Sequence, residues 1–207
     1  MSTAASSGFL TTDQWRSLIE AAGQAPSPDN NQPWAFRIRG DAVDVLHCRS
    51  RAIASDVDDL FSWIAVGAAI ENLCVAATAL GLTGDVEYMA RPFGDSEAGE
   101  HVATVRLSRG SQPDPLAEVI SQRVTNRRFY SRQPLAEHEL APMNSAVEGR
   151  NVRLDWLTDR AQRRRLSGVV AAVDRIRFEY QPFHEEFHSV LRHGRDEEER
   201  TRDGLEL

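Results

Sequence analysis

A length of 207 residues with 41% hydrophobic and 27% charged content is ample for a buried core and excludes a disordered chain as the starting expectation. The 24 cations against 31 anions give a net charge of −7, which disfavours a polyanionic partner such as nucleic acid. Every one of those 24 cations is Arg, so chemistry that needs a Schiff-base or phosphate-loop lysine is excluded, while forked contacts to phosphates and carboxylates are well supplied.

Cys48 and Cys74 stand alone in sequence, which suggests neither a disulfide framework nor a zinc knuckle and fits a reducing compartment. Residues 1–7 show no basic start followed by an apolar run, so no secretory signal is expected and a cytoplasmic location is.

Taken in chain order, Thr11 and Gln14 offer a capping box, and Trp15, Leu18, Ile19 and Ala22 recur at helical spacing up to about Gly23. A Pro/Asn-rich loop, Pro26 to Pro33, follows. Trp34 to Arg39 and Ala42 to Cys48 flank Gly40-Asp41 as a hairpin. Leu60 to Leu82 is apolar nearly all round and reads as a long, buried central helix stopped at Gly81; Glu71 and Asn72 at mid-length disfavour a membrane span.

Val86 to Ala90 and Val102 to Leu107 read as two further strands joined by a solvated loop, Gly94 to Glu100. After the breaker Pro113-Asp114-Pro115, helices are expected over Leu116 to Arg127 and Glu137 to Val147, a strand over Val152 to Leu157, and helices from Arg160 and from Phe183. The tail, Arg195 to Arg202, is almost wholly charged, and Gly204 to Leu207 has no obvious capping element. The expected organisation is an α+β lobe over 1–112, an antiparallel or mixed sheet flanked by helices, followed by a partial second lobe over 113–207.

Two segments carry chemistry. Ala25-Pro-Ser-Pro-Asp-Asn-Asn-Gln-Pro-Trp-Ala-Phe36 places prolines that stiffen a loop beside Ser and Asn hydrogen-bonding groups. Arg123-Val-Thr-Asn-Arg127 sets two guanidinium groups around a hydroxyl. The first closely resembles the flavin-ring loop of the nitroreductase superfamily, and the second resembles that superfamily's Arg-x-Ser-x-Arg/Lys segment for the FMN phosphate and ribityl chain.

In simple nitroreductases the phosphate segment precedes the loop, whereas here it follows. That order resembles the fused, double-lobed Acg-type group, whose Arg-Thr-Arg-Asp-Gly-Leu ending is similar to Arg200 to Leu205. Leu135 to Val147 followed by Val152 to Leu157 repeats the helix-then-strand order without the loop, which suggests a degenerate second lobe and one flavin per two-lobe unit.

The resemblance implies an FMN-dependent fold that passes electrons from NAD(P)H through flavin to a small acceptor, without a side-chain nucleophile. It assigns Pro26 and Pro28 to the ring flank, Ser27 and Asn30 to its polar edge, Arg123 and Thr125 to the phosphate, and Arg127 to the edge where charge develops on reduction. A homodimer, or a further C-terminal lobe, would complete such a site. The first alternative is a protein that holds FMN without turnover. The second is a zinc peptidase using His184-Glu185-x-x-His188, set against the plainer reading of an amphipathic helix with Phe183, Phe187, Val190 and Leu191 inward.

Overall fold

The computed structural model describes residues 9–96, 99–131, 133–193, 196 and 200–206; the side chains of 91–96 and 206 lie outside that description. So do the first residues, on which the absence of a secretory signal was read. The chain packs as two compact units, Met1–Thr125 with Pro182–Leu207, and Asn126–Gln181. The boundary read at residue 113 falls inside the first of them.

Helix α1 (Thr12–Gly23) starts at the expected capping box: the Thr11 hydroxyl accepts from the Gln14 amide at 3.2 Å, and the Gln14 side chain accepts from the Thr11 amide at 2.9 Å. Its 3.6-residue period buries Trp15, Leu18 and Ala22 on one face. Strands β1 (Trp34–Arg39) and β2 (Ala42–His47) pair antiparallel around Gly40, whose φ of +62° suits the tight turn.

The long apolar segment forms α2 (Leu60–Thr78), which ends before Gly81, and β3 starts at Leu82. By length and composition this helix would suit a bilayer, but Ala65, Val66, Ala69, Ile70, Leu73 and Ala77 are buried in the same core cluster as Trp15, Leu18, Val43, Val45 and Val105. Strands β3 (Leu82–Ser96) and β4 (Gly99–Arg109) complete an antiparallel sheet of order β1-β2-β4-β3. The result is a mixed α+β unit whose four-stranded sheet is antiparallel throughout.

Several sequence expectations are corrected. The solvated loop over Gly94 to Glu100 is part of the β3–β4 hairpin as far as Ser96 and again from Gly99, with residues 97 and 98 outside the description. In place of a helix over Leu116 to Arg127 stand two short 3-10 turns, Pro115–Glu118 and Ile120–Gln122, with Arg123 already extended at φ −65° and ψ 125°. Pro113 and Pro115 remove helical donors, and the β-branched Val119, Ile120, Val124 and Thr125 weaken helix formation over the rest.

The second unit contains α3 (Glu137–Ser145) and α4 (Arg160–Glu179). Val152 to Leu157 is not a strand: the alternation of Val152, Leu154 and Trp156 is present, but the segment pairs with no strand among the described residues. It is held locally, where the Trp156 indole donates to Asn144 Oδ1 at 2.8 Å. Helix α5 (Gln181–Ser189) begins two residues before Phe183. The Gly204 to Leu207 stretch, read as having no obvious capping element, contains β6 (Leu205–Glu206), which pairs in parallel with β5 (Leu191–Arg192).

His47 at the end of β2 is fully buried, its ring centred 4.5 Å from that of Trp63 and tilted by 45° to it, and neither ring nitrogen has a hydrogen-bond partner among the described residues. Burial pushes its pKa below the ordinary histidine value, against the opposing pull of Asp59, Glu100 and Asp56; Arg49 adds to the downward push. The unfolded chain therefore binds the proton more readily than the folded one, so this residue's contribution is full above about pH 6.5 and is lost as pH falls from there toward the folded pKa. His47→Phe is expected to match the wild type within about 1 kcal/mol at pH 7.5 and to gain on it as pH falls to 5. Urea unfolding at the two pH values checks this, and parallel losses in both proteins would contradict it.

Candidate functional site

The Pro/Asn loop leaves α1 at Gln24 and turns through a 3-10 segment, Pro28–Asn30, with Pro28 at its first position. Asp29, Asn30 and Gln32 have φ of 45°, 58° and 48°, left-handed values that cost a non-glycine residue about 1–2 kcal/mol each. Such a conformation persists only where its surroundings over-determine it.

Four sets of contacts do so. The Ser27 hydroxyl accepts from the Gln32 amide at 3.0 Å, closing the loop on itself. The Asn31 side chain donates to the Arg51 carbonyl at 2.8 Å, and the Arg51 guanidinium donates to the carbonyls of Gln32 at 3.1 Å and Trp34 at 3.3 Å. The Cys48 amide reaches the Pro33 carbonyl at 3.0 Å. On the other side, Gln32 donates through its side chain to the Arg202 carbonyl, and the Gly204 amide meets the Asn30 carbonyl at 3.4 Å.

The tail that supplies these last contacts is itself anchored. The Leu205 amide donates to the Val190 carbonyl at 2.8 Å, and Arg192 grips Asp203 through Nη2 at 2.8 Å and Nε at 3.1 Å. Partial burial pushes the Asp203 carboxyl up, but hydrogen bonds from Arg192 and Thr201 outweigh it and hold the pKa below the ordinary value. Glu186 of α5 accepts from the Ser55 amide at 3.0 Å and from its hydroxyl, tying α5 to the loop before α2.

Two clefts flank the Pro/Asn loop, each within the size range of small-molecule sites. One, of about 770 Å³, is lined by Glu20, Gly23, Gln24, Ala25, Asn30, Gln32, Arg123 and Arg202. The other, of about 840 Å³, shares Gln32 and Arg202 with the first; its wall also includes Asp29, Asn31, Arg51, Glu185, Arg192 and Asp203. The Asn31 side-chain oxygen Oδ1 is buried with no hydrogen-bond partner among the described residues and belongs to a residue of this second wall.

Of the residues singled out from sequence, Asn30 and Arg123 meet in the first cleft. Arg123 Nε donates to the Gln24 carbonyl at 3.1 Å, capping the C-terminus of α1. Pro26, Ser27 and Pro28 shape the loop but do not line that cleft, and neither does the exposed Thr125. Arg127 is exposed and belongs to the second unit.

Arg51, Gln32, Arg202 and the Arg192–Asp203 pair were not assigned from sequence. The Arg-Thr-Arg-Asp-Gly-Leu similarity was the one signal that pointed toward this tail.

The His-Glu-x-x-His segment lies on α5, where the His184 and His188 rings stand 4.5 Å apart, centre to centre. Among the described residues no group of three or more His, Cys, Asp or Glu side chains is placed to hold a metal ion. Its Glu185 lines the larger cleft, and Glu186 is engaged with Ser55.

No family model matches the chain. Two proteins of Mycobacterium tuberculosis bearing nitroreductase names do. "Putative NAD(P)H nitroreductase acg" is 26% identical over 156 residues, 73% of this chain and 46% of that protein. "Putative NAD(P)H nitroreductase Rv3131" is 29% identical over 140 residues, 65% of this chain and 39% of that protein. The chain is related to proteins named as NAD(P)H nitroreductases.

A further relative from the same species, "Uncharacterized protein MT1398", is 34% identical over 182 residues, 84% of this chain and 24% of that protein. The chain thus spans less than half the length of these curated relatives. Among solved structures, a "Putative NADH Oxidase" from Clostridium acetobutylicum aligns with a TM-score of 0.41 and 17% identity, over 60% of this chain and 85% of that one.

Proposed function

We propose that the chain is the flavin-binding part of an FMN-dependent oxidoreductase of the nitroreductase superfamily, in the fused, Acg-type arrangement, accepting electrons from NAD(P)H and passing them to a small acceptor. The observation that carries this reading is the shared cleft of the Pro/Asn loop and Arg123, two segments nearly a hundred residues apart that the sequence assigned to opposite ends of one cofactor.

The residues present suit a flavin mononucleotide. A loop held rigid by Ser27, Arg51 and the tail offers a fixed edge to a flat ring, with Pro26 and Pro28 stiffening its flank. Asn30 in the lining of the first cleft and the Asn31 side-chain oxygen, of a residue in the wall of the second, supply polar groups. Arg123 and Thr125 are assigned to the phosphate end. Bound flavin would supply the hydride chemistry; the chain's own part is to fix the ring, exclude water from one face and present oriented donors.

Exposed apolar side chains on α2, Leu60, Phe61 and Ile64, and on α4, Val169, Val173 and Ile176, support an apposed second lobe or second copy as part of the working molecule. A cytoplasmic setting belongs to the same proposal. Holding FMN without turnover is the second reading, motivated by the missing loop in the Leu135 to Leu157 repeat, and rapid reoxidation of reduced flavin by a quinone or nitroaromatic acceptor would rule it out.

Arg123→Ala tests the assignment. FMN affinity is expected to fall about tenfold or more, the loss of one charge-assisted contact. The melting temperature should move only slightly, because the helix-capping contact it also removes is solvent-exposed. Unchanged affinity in a fluorescence-quenching titration would reject Arg123 as a phosphate ligand.

A further inference from the structure

The flavin reading makes no use of the two histidines of α5. His184 and His188 stand one helical turn apart within Gln181–Ser189, and their rings are centred 4.5 Å from each other with their planes at 57°. Imidazoles spaced i and i+4 share a helix face, which lets one cation bind to both.

His184 is half-buried, and its Nδ1 is out of water with no hydrogen-bond partner among the described residues. A buried polar atom in that state costs free energy, which a coordinate bond would offset. His188 is exposed, so a cation has a path to the pair from solvent, and its ring stands edge-on to Phe187 at 6.0 Å. An ion bonded at about 2.0–2.1 Å to two neighbouring nitrogens needs them roughly 3 Å apart. Rings already in contact reach that spacing by turning about their own side-chain bonds.

The surrounding charge favours the same ligand. Glu185 and Glu186 lie between the histidines in sequence, on a chain of net charge −7. Glu186 is engaged with the Ser55 amide and hydroxyl, and the nearby cation Arg192 is paired with Asp203 at 2.8 Å.

Among the described residues no third His, Cys, Asp or Glu side chain joins the pair. The remaining coordination positions fall to water, the pattern of an open two-imidazole chelate and not of a three-ligand catalytic zinc centre. Imidazole donors suit the late first-row divalent ions, copper(II) more tightly than zinc(II), whereas magnesium and calcium prefer oxygen.

We propose that His184 and His188 form a binding site for a late first-row divalent cation of the copper(II) or zinc(II) class. Occupancy clips one turn of α5 and, through Glu186 on Ser55, steadies the segment that leads into α2. The site is independent of flavin binding.

The test uses the untagged full chain, stripped with a chelator, with copper(II), zinc(II) or magnesium(II) chloride as the only addition. Calorimetry is expected to give one copper(II) per chain, weaker binding of zinc(II) and none of magnesium(II). The electron paramagnetic resonance spectrum of the copper sample should show two coordinating imidazole nitrogens. Saturating zinc(II) should raise the melting temperature by about 2 °C or more.

His188→Gln, at an exposed position, should weaken copper(II) binding by about tenfold or more, at least the loss that removing an outer-shell partner brings, and abolish the zinc-dependent rise. His184→Gln should weaken copper(II) binding to the same extent. His193→Ala, at the next histidine along the chain, should change neither reading.

Copper(II) binding no tighter in the wild type than in the double variant His184→Gln/His188→Gln overturns the proposal, as does a spectrum with one nitrogen or none. A loss on His193→Ala equal to that on His188→Gln overturns the two-histidine assignment.

Discussion

Asp56→Ala is expected to destabilise the first unit by about 2–4 kcal/mol, the sum of a lost helix cap and of donors left without a charged acceptor. Asp56 is 5% exposed and does the work that the residue at the start of α2 cannot. Asp58 and Asp59 both sit at left-handed φ, 57° and 55°, and Asp59 makes no side-chain cap. Asp56 instead reaches forward: one carboxylate oxygen accepts from the Phe61 amide at 2.8 Å, and the other accepts from the Ser62 amide and hydroxyl, each at 2.8 Å.

Removing it leaves the first amides of the central helix unsatisfied beneath the core. Urea unfolding of the variant gives the value directly. A loss below about 0.5 kcal/mol would mean that water or a neighbouring group replaces the cap fully. Because Arg51 and Ser55 lie in the same stretch before α2, the variant is also expected to loosen the Pro/Asn loop and weaken flavin binding in parallel.

Gly204→Val is expected to release the tail from the loop. Gly204 has φ of +76°, and a Cβ there would stand 2.4 Å from the Val190 carbonyl oxygen and 2.9 Å from Arg192 Cζ. The first of these is main chain that cannot rotate away, and it is the acceptor for the Leu205 amide. The β5–β6 pairing, the Gly204–Asn30 contact and the Gln32–Arg202 contact should therefore fail together, at a cost of about 2–4 kcal/mol.

Trypsin offers a direct reading, because Arg200 and Arg202 should be cut faster in the variant than in the wild type. FMN affinity should fall as the loop relaxes from its left-handed conformation. Equal cleavage rates and equal affinity would show that the tail does not brace the loop.

How far the sequence revealed this arrangement depends on the range of the forces involved. The capping box at Thr11, the β1–β2 turn at Gly40 and the core face of α1 are set by residues within one or two turns of each other, and all were legible. The length of β3 was not, since Gly94, Asp95 and Ser96 look like a loop and join a strand only because Phe93 and Ser96 pair with His101 and Gly99 of β4.

Val152 to Leu157 is the converse case, a strand pattern with no strand beside it. At the site, the Pro/Asn loop and Arg123 were visible as chemistry. Arg51, Gln32 and Arg202 were hidden because their role is main-chain support across large sequence separations, which no local spacing encodes.

The central claim is that this chain binds flavin mononucleotide. The decisive measurement is the absorbance spectrum of the purified protein, taken as isolated and again after incubation with FMN and removal of the unbound fraction. A retained flavin band, in a stoichiometry approaching one per site and perturbed relative to free FMN, is the expected result. A spectrum with no absorbance beyond the aromatic band in both samples would contradict it.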